Sequence, residues 1–354
     1  MRAPSYEPCA STPPEFAQAK RDSAVTDTGP NRALDRPGIL LTAFGGPDSL
    51  EAVGPFMARL MGREPSPELV ERARSKYEAI GGKSPLTEIA LRISGLLERE
   101  LASQGHPVPV RLGMRYWDPL ISDAVRELTK IGANRIVMVS LSPFESKVAC
   151  GAYRAAAQEA LASVGIDGVR ESAALHTAPG YREFLGHACR HALEAAPGDK
   201  PLVVMTAHSL PVADLVEDDP YVAGLHEVAA AVAQAAGLGE AEEIDSAKLG
   251  AATFGSLSGR APWVLAYQSK GARPGDWLEP DIDAVMDAAA DAGYDTVVIC
   301  PIGFATDHME TMYDLDIVAS NRAADLNLRF VRACVPNDDE LLIVALAGLA
   351  VQAL

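Results

Sequence analysis

The chain has 354 residues, a formal net charge of −17, a hydrophobic fraction of 48% and a charged fraction of 22%, ordinary globular values with enough length for two lobes that each bury a core. The acidic balance excludes nucleic acid as an expected partner, because phosphate backbones are bound by clustered Lys and Arg, and no apolar run reaches the roughly 18 residues that cross a bilayer. Cys9, Cys150, Cys189, Cys300 and Cys334 are scattered without a Cys-x-x-Cys pair, which argues against a disulfide framework or a zinc or iron–sulfur site and for a reducing cytoplasm.

Residues 1–35 are rich in Pro, Ser, Thr and charge and lack the apolar centre of a secretory signal, so a disordered tail is expected there. From residue 36, short β-rich apolar runs alternate with longer helical patterns. GILLTAF (38–44) is the first expected strand. The GGP that follows lacks the G-x-G-x-x-G spacing of a dinucleotide fingerprint and reads as a tight turn near a ligand. VGPFMARLM (53–61) is amphipathic and fits a packed helix or a lip that meets a partner or lipid surface. GGKS (81–84) resembles the end of a P-loop, but Tyr77 stands where that motif needs Gly. Strands are then expected at 108–114, 135–141 and 169–175, completing a first set of four.

The second set is expected at 201–207, 263–269, 296–302 and 328–334. Crossover-length stretches between most of these runs predict parallel sheets with helices on both faces. The segments 117–144 and 277–304 share Trp, Pro, Asp-Ala-Val, Gly, an apolar strand and a Pro-to-Phe ending in the same order, which indicates an internal duplication. The expected fold is therefore α/β, with two similar doubly wound lobes, 36–195 and 196–354. Each has a mainly parallel four-stranded sheet flanked by helices, and a cleft lies between the lobes at the strands' carboxyl ends. The chain ends in LLIVALAGLAVQAL, 14 residues introduced by Asn337 with Glu340 three positions on. That pattern reads as a capped final helix over 338–353, free to pack on the N-terminal lobe.

Two stretches carry chemistry. PIGFATDHMETMYDLDI (301–317) places Asp307, His308, Glu310, Asp314 and Asp316 directly after an apolar strand. In an α-helix beginning at 307, Asp307, Glu310 and Asp314 share one face, although like charges at that spacing oppose helix formation by roughly 0.2–0.5 kcal/mol per pair. In VVMTAHSLP (203–211), His208 follows an apolar strand and precedes Pro211. A parallel order brings His208 and Glu310 to the same sheet edge, and a histidine with carboxylates but no thiolate suits a borderline divalent ion such as Fe²⁺. G-x-S-x-G and H-E-x-x-H motifs are absent from the sequence, so serine hydrolase and zincin readings have no support.

From residue 38 to 354 the chain resembles the ferrochelatases, which insert ferrous iron into a porphyrin at the end of haem synthesis. The resemblance rests on AFGGP (43–47), YEAIGGKSPL (77–86), GMRYWDP (113–119), TAHSLP (206–211), DDPY (218–221), YQSK (267–270), DWLEP (276–280) and GFATDHMETMYDLD (303–316). GREPSPEL (62–69) and LHEVAAAVAQAAGL (225–238) are most similar to the branch that metallates coproporphyrin III, with protoporphyrin IX the other candidate substrate.

The resemblance implies that His208 and Glu310 are the catalytic, metal-handling pair and that Asp307, His308 and Asp314 extend a proton relay. It further implies that Phe44, Arg63, Arg115 and Tyr116 contact the porphyrin. Fe²⁺ is then a substrate, no cofactor is permanently bound, and a lone Cys334 near the C-terminus implies no 2Fe–2S cluster. A soluble cytoplasmic monomer is expected, met transiently by an iron donor or a haem acceptor. The chain departs from the family pattern at Phe44, where the coproporphyrin branch can carry a metal-touching Tyr, and at Val318, where relatives often carry another carboxylate. It also departs in FESKVACGAYR (144–154), a region that is often Ser/Thr-rich. Rival readings are a cobalt or nickel chelatase for another tetrapyrrole, expected to use paired His ligands, and a non-enzymatic tetrapyrrole carrier, which has no need of the carboxylates.

Overall fold

The computed structural model describes residues 35–238, 261–271 and 273–354, and within these Arg36–Leu354 forms one compact unit. The expected tail lies almost wholly outside the described residues.

The first sheet contains β1 (Pro37–Ala43), β2 (Val110–Met114), β3 (Arg135–Ser140) and β4 (Arg170–Glu171) in the order β2-β1-β3-β4. The second contains β5 (Pro201–His208), β6 (Trp263–Gln268), β7 (Thr296–Cys300) and β8 (Arg329–Arg332) in the matching order β6-β5-β7-β8. Every pairing is parallel.

Both faces of a parallel sheet are covered, so its strands read as unbroken apolar runs with alternate residues serving different cores. Ile39, Leu41, Val137 and Val139 of the first sheet, with Val203, Met205, Leu265 and Val298 of the second, belong to one hydrophobic cluster that spans both sheets. The intervening residues face outward. Leu40, Ile136 and Met138 pack on α4 (Ile121–Lys130) and α5 (Ala152–Ser163). Leu202, Val204, Val297 and Ile299 pack on α8 (Ile282–Asp291) and on residues of the helical stretch 310–325.

The shared inner core is filled by α3 (Leu86–Ser103), α6 (Pro179–Glu194), α7 (Pro220–Ala236) and α10 (Glu340–Ala353). Of these, α10 packs against α3, α6 and β3, and α6 packs against α7, β7 and β8. The helices α1 (Val53–Met61) and α2 (Pro67–Ala79) border one side, and α9 (Ser320–Asp325) leads into β8.

The duplicated segments share several local features. At the end of β2 the Met114 amide donates to the Pro119 carbonyl at 2.7 Å, and near the end of β6 the Tyr267 amide donates to the Pro280 carbonyl at 2.8 Å. Both prolines follow cis peptide bonds. A π-helical segment follows the third strand of each sheet, Lys147–Gly151 in the first and Glu310–Ala319 in the second.

The strands at 108–114, 296–302 and 328–334 are trimmed to Val110–Met114, Thr296–Cys300 and Arg329–Arg332, and two further differences matter more. The strand expected at 169–175 shortens to Arg170–Glu171, because the chain leaves β3 and turns at Leu175–Thr177 into a 3₁₀ segment leading to Pro179 at the start of α6. Asn337 does not cap the last helix. The Asp339 side chain accepts from the Leu341 amide at 2.9 Å instead, and Asn337 grips Asp307, donating from Nδ2 to Oδ2 at 2.8 Å and accepting the Asp307 amide at 2.7 Å.

Candidate active site

A cavity of about 490 Å³ opens where the carboxyl ends of β1, β3, β5 and β7 converge. His208 is the last residue of β5. Its ring Nδ1 faces the Ser209 carbonyl, which can only accept, so Nδ1 carries a proton and Nε2 points at the cavity side. The backbone there is fixed by the Tyr221 hydroxyl, which donates to the His208 carbonyl at 2.7 Å, and by the Ser209 amide, which donates to the Gln268 carbonyl at 2.8 Å.

Glu310 arrives from the neighbouring strand β7. The loop after β7 crosses directly over the end of β5, where the Gly303 amide donates to the Thr206 carbonyl at 3.0 Å. A Cβ at Gly303 would lie 2.7 Å from both Ala207 Cα and Cβ, so only glycine lets the loop approach so closely. Glu310 then lies between two imidazoles, with His208 Nε2 at 3.3 Å from Oε1 and His308 Nε2 at 3.4 Å from Oε2. The Gln268 side-chain amide donates to the Glu310 carbonyl at 3.0 Å. The Nδ1 of His308 is buried without a hydrogen-bond partner.

Burial alone favours a neutral Glu310, but the two imidazoles outweigh it and hold the carboxyl well below the usual carboxylate range. For His208, burial opposes the charged form, yet the Glu310 carboxylate, the Ser209 carbonyl and Asp314 together push the imidazole up to about 9. Asp314, one turn further on, is shifted in the opposite direction to Glu310. Burial and the Glu310 charge raise it, against the Ser269 hydroxyl, which donates to Asp314 Oδ2 at 2.6 Å.

Of the residues singled out in the sequence, Phe44, His208, His308 and Glu310 line the cavity together. Phe44 stands at the end of β1 with Tyr116 packed behind it, ring centroids 4.8 Å apart. Asp307, Asp314, Arg63, Arg115 and Tyr116 are not on its wall. Arg63 is exposed, and the Arg115 guanidinium lies over the Tyr116 ring at 4.9 Å.

The single helical face expected for Asp307, Glu310 and Asp314 is corrected. The helix begins at Met309, after Asp307, and is π-helical from Glu310, so its i→i+5 bonding keeps Glu310 and Asp314 neighbours. Asp307 is 5% exposed and turned away, accepting from Thr311 Oγ1 at 2.9 Å and pairing with Arg332 at 3.2 Å.

Sequence reasoning missed much of the wall, including Tyr77, Ser142, Ser146, Tyr153, Trp277 and Arg273. Tyr77 and Trp277 lie inside motifs already singled out. The glycines of AFGGP and the GGKSPL segment meet here, the Ser84 amide donating to the Pro47 carbonyl at 2.8 Å, which places two apparent phosphate-binding motifs side by side at the cavity.

The ferrochelatase family model matches residues 36–354. A ferrochelatase of Deinococcus radiodurans is 34% identical over 88% of this chain and 94% of its own. A coproporphyrin III ferrochelatase of Nocardia farcinica is 34% identical over 85% of this chain and 83% of its own. SirB from Bacillus subtilis with Fe³⁺, at 12% identity and a TM-score of 0.50 over 90% of this chain and 95% of its own, shares the fold. With both the histidine strand and the carboxylate helix inside the matched range, the chain belongs to the ferrochelatase family, lyases that insert a metal into a porphyrin.

Proposed function

We propose that this protein inserts Fe²⁺ into coproporphyrin III, in preference to protoporphyrin IX, releasing two protons in a late step of haem biosynthesis. The observation that carries the reading is the Glu310 carboxylate held between His208 and His308 on the wall of a cavity otherwise rich in apolar and aromatic side chains. Such walls suit the faces of a flat aromatic macrocycle. Phe44 offers a ring for stacking and no phenolate for the metal.

Metallation needs a negative charge to receive the cation and a base to accept pyrrole protons. Glu310 is the ionised carboxylate, and His208 is the imidazole it keeps protonated. A cation drawn to Glu310 competes with that imidazolium, so arrival of iron favours release of the His208 proton and frees the base. Asp314, raised by burial and by Glu310, is the next carboxylate able to hold a proton on the way out. Asp307 has no such role in this reading, because Arg332, Thr311 and Asn337 occupy it.

Preference for coproporphyrin III is supported by the names of relatives from Nocardia farcinica and Streptomyces griseus, the latter 33% identical over 93% of this chain. The same reading takes the protein as a cytoplasmic monomer with no permanently bound cofactor and no 2Fe–2S cluster, served transiently by an iron donor and a haem acceptor. The scattered cysteines, without a Cys-x-x-Cys pair, support the reducing compartment and the lack of a cluster.

The test is anaerobic metallation with Fe²⁺ and either porphyrin, followed at the Soret band. Coproporphyrin III should turn over faster, and a preference for protoporphyrin IX would reverse the substrate assignment. His208→Ala and Glu310→Ala should each lower the rate by about 100-fold or more while porphyrin binding persists; metallation at wild-type rate would remove both from the mechanism.

A further inference from the structure

The carboxylates at the edge of such a substrate need a partner, and the cavity offers few. A porphyrin with four propionates approaches a chain of net charge −17 whose cavity already carries Asp214 and Glu310. Arg63 and Arg115, to which the resemblance gave porphyrin contact, do not line it. Among the described residues, Arg273 is the one Lys or Arg on the wall.

Its placement is well defined. The Arg273 carbonyl accepts from the Trp277 indole N–H at 3.1 Å, and Trp277 itself lines the cavity. Trp277 pairs with Pro211 across an isolated bridge, and the Val212 amide donates to the Asp276 carbonyl at 2.9 Å. The Arg273 segment is thereby tied to the short turn Val212–Asp214, which follows the strand that ends in His208.

The Arg273 guanidinium donates to Asp214 Oδ2 at 2.6 Å. Its side chain is 57% exposed while that of Asp214 is 17% exposed. A guanidinium has five N–H donors in a planar fork, so one bond to Asp214 leaves a face free for a second carboxylate.

Resting on the porphyrin reading above, we propose that Arg273 binds a peripheral carboxylate of the porphyrin, with Asp214 acting as the internal carboxylate that holds the guanidinium ready and competes for it. The contact favours a porphyrin that presents a carboxylate at this position, more often met with four propionates than with two, and it lies on the rim of the reaction rather than at the inserted metal.

The experiment compares dissociation constants, read by fluorescence quenching, for coproporphyrin III, protoporphyrin IX and coproporphyrin tetramethyl ester, which has no free carboxylate. Arg273→Gln should weaken coproporphyrin III by about tenfold, weaken protoporphyrin IX less and leave the ester unchanged. KM should follow the binding constant while kcat stays within about twofold, because the interaction is the same in ground and transition states. Asp214→Asn should tighten coproporphyrin III, and Arg273→Lys should bind between wild type and Gln.

An equal loss for the ester, unchanged binding of coproporphyrin III by Arg273→Gln, or weakening by Asp214→Asn would overturn the proposal. Wild-type protein that binds none of the three porphyrins overturns the porphyrin reading and this proposal with it, whereas binding indifferent to Arg273 overturns this proposal alone.

Discussion

Glu310, 3.3 Å from the imidazole of His208 and 3.4 Å from that of His308, sets the charge of its histidine neighbour. The His208 imidazole is raised to about 9 from 6.5, so the stabilisation it draws from Glu310 is fully present below 6.5 and is lost as pH rises through about 9. Glu310 is shifted downward from 4.5, so its share is present above 4.5 and disappears only as pH falls through the depressed folded value. The pair is therefore intact across the neutral range. A nitrogen-detected NMR titration of His208 should give a midpoint near 9 in wild type, and in Glu310→Gln the midpoint should fall toward or below 6.5 because burial is then less opposed. An unmoved midpoint would show that Glu310 is not the cause. His208 and Glu310 were legible because each ends an apolar strand or follows one within a specific motif. Arg273 was not, since no feature of a Gly- and Pro-bearing loop tells which of its side chains faces a cavity.

The strands were legible as elements because burial on both faces leaves long apolar runs, and all eight occur at the expected places, with only β4 much shortened. The helix after β7 was legible in position and wrong in geometry. A π-helix has no compositional signature, and the residues that set its start lie far off in sequence, with Asn337 and Arg332 taking Asp307 out of the acidic stripe. Arg332 joins the end of β8 to both Asp307 and Asp316, with bonds of 3.2 Å to the first and 2.5 and 3.0 Å to the second. The Arg332 and Asp307 side chains are 8% and 7% exposed, so removing the cation strands a buried carboxylate. Arg332→Met should cost about 3–5 kcal/mol in urea denaturation. A change below about 1 kcal/mol, the level of an exposed pair, would mean that the carboxylates find other partners.

At the scale of the whole molecule, the two sheets are layers around one common interior rather than separate bodies joined by a linker. Residues of β1 and β3 share a buried cluster with residues of β5, β6 and β7, and α3, α6, α7 and α10 fill it. Unfolding one half would expose apolar surface of the other, so the described fold should melt as a unit. Near- and far-ultraviolet circular dichroism should give coincident thermal transitions, whereas two resolved steps would contradict a common core. The sequence conveyed the duplication through recurring Trp, Pro and Asp-Ala-Val. It could not convey that the inner faces of both copies merge, because alternating burial is invisible in a strand that is apolar at every position.

That merged interior governs how a large rigid disc gets in and out. A hinge that swung the two sheets apart would tear open the cluster containing Val139, Met205 and Val298, at a cost of roughly 25 cal/mol for every Å² of apolar area exposed. The borders of the slot lie outside that cluster's strands: the amphipathic α1 with Leu60, the π-helical Lys147–Gly151 with Val148, and the Val212–Asp214 turn beside Arg273. A slot floored by a core common to both sheets holds two imidazoles and a carboxylate within ångströms of one another, and opening it for a disc cannot begin at that floor without breaking the core itself.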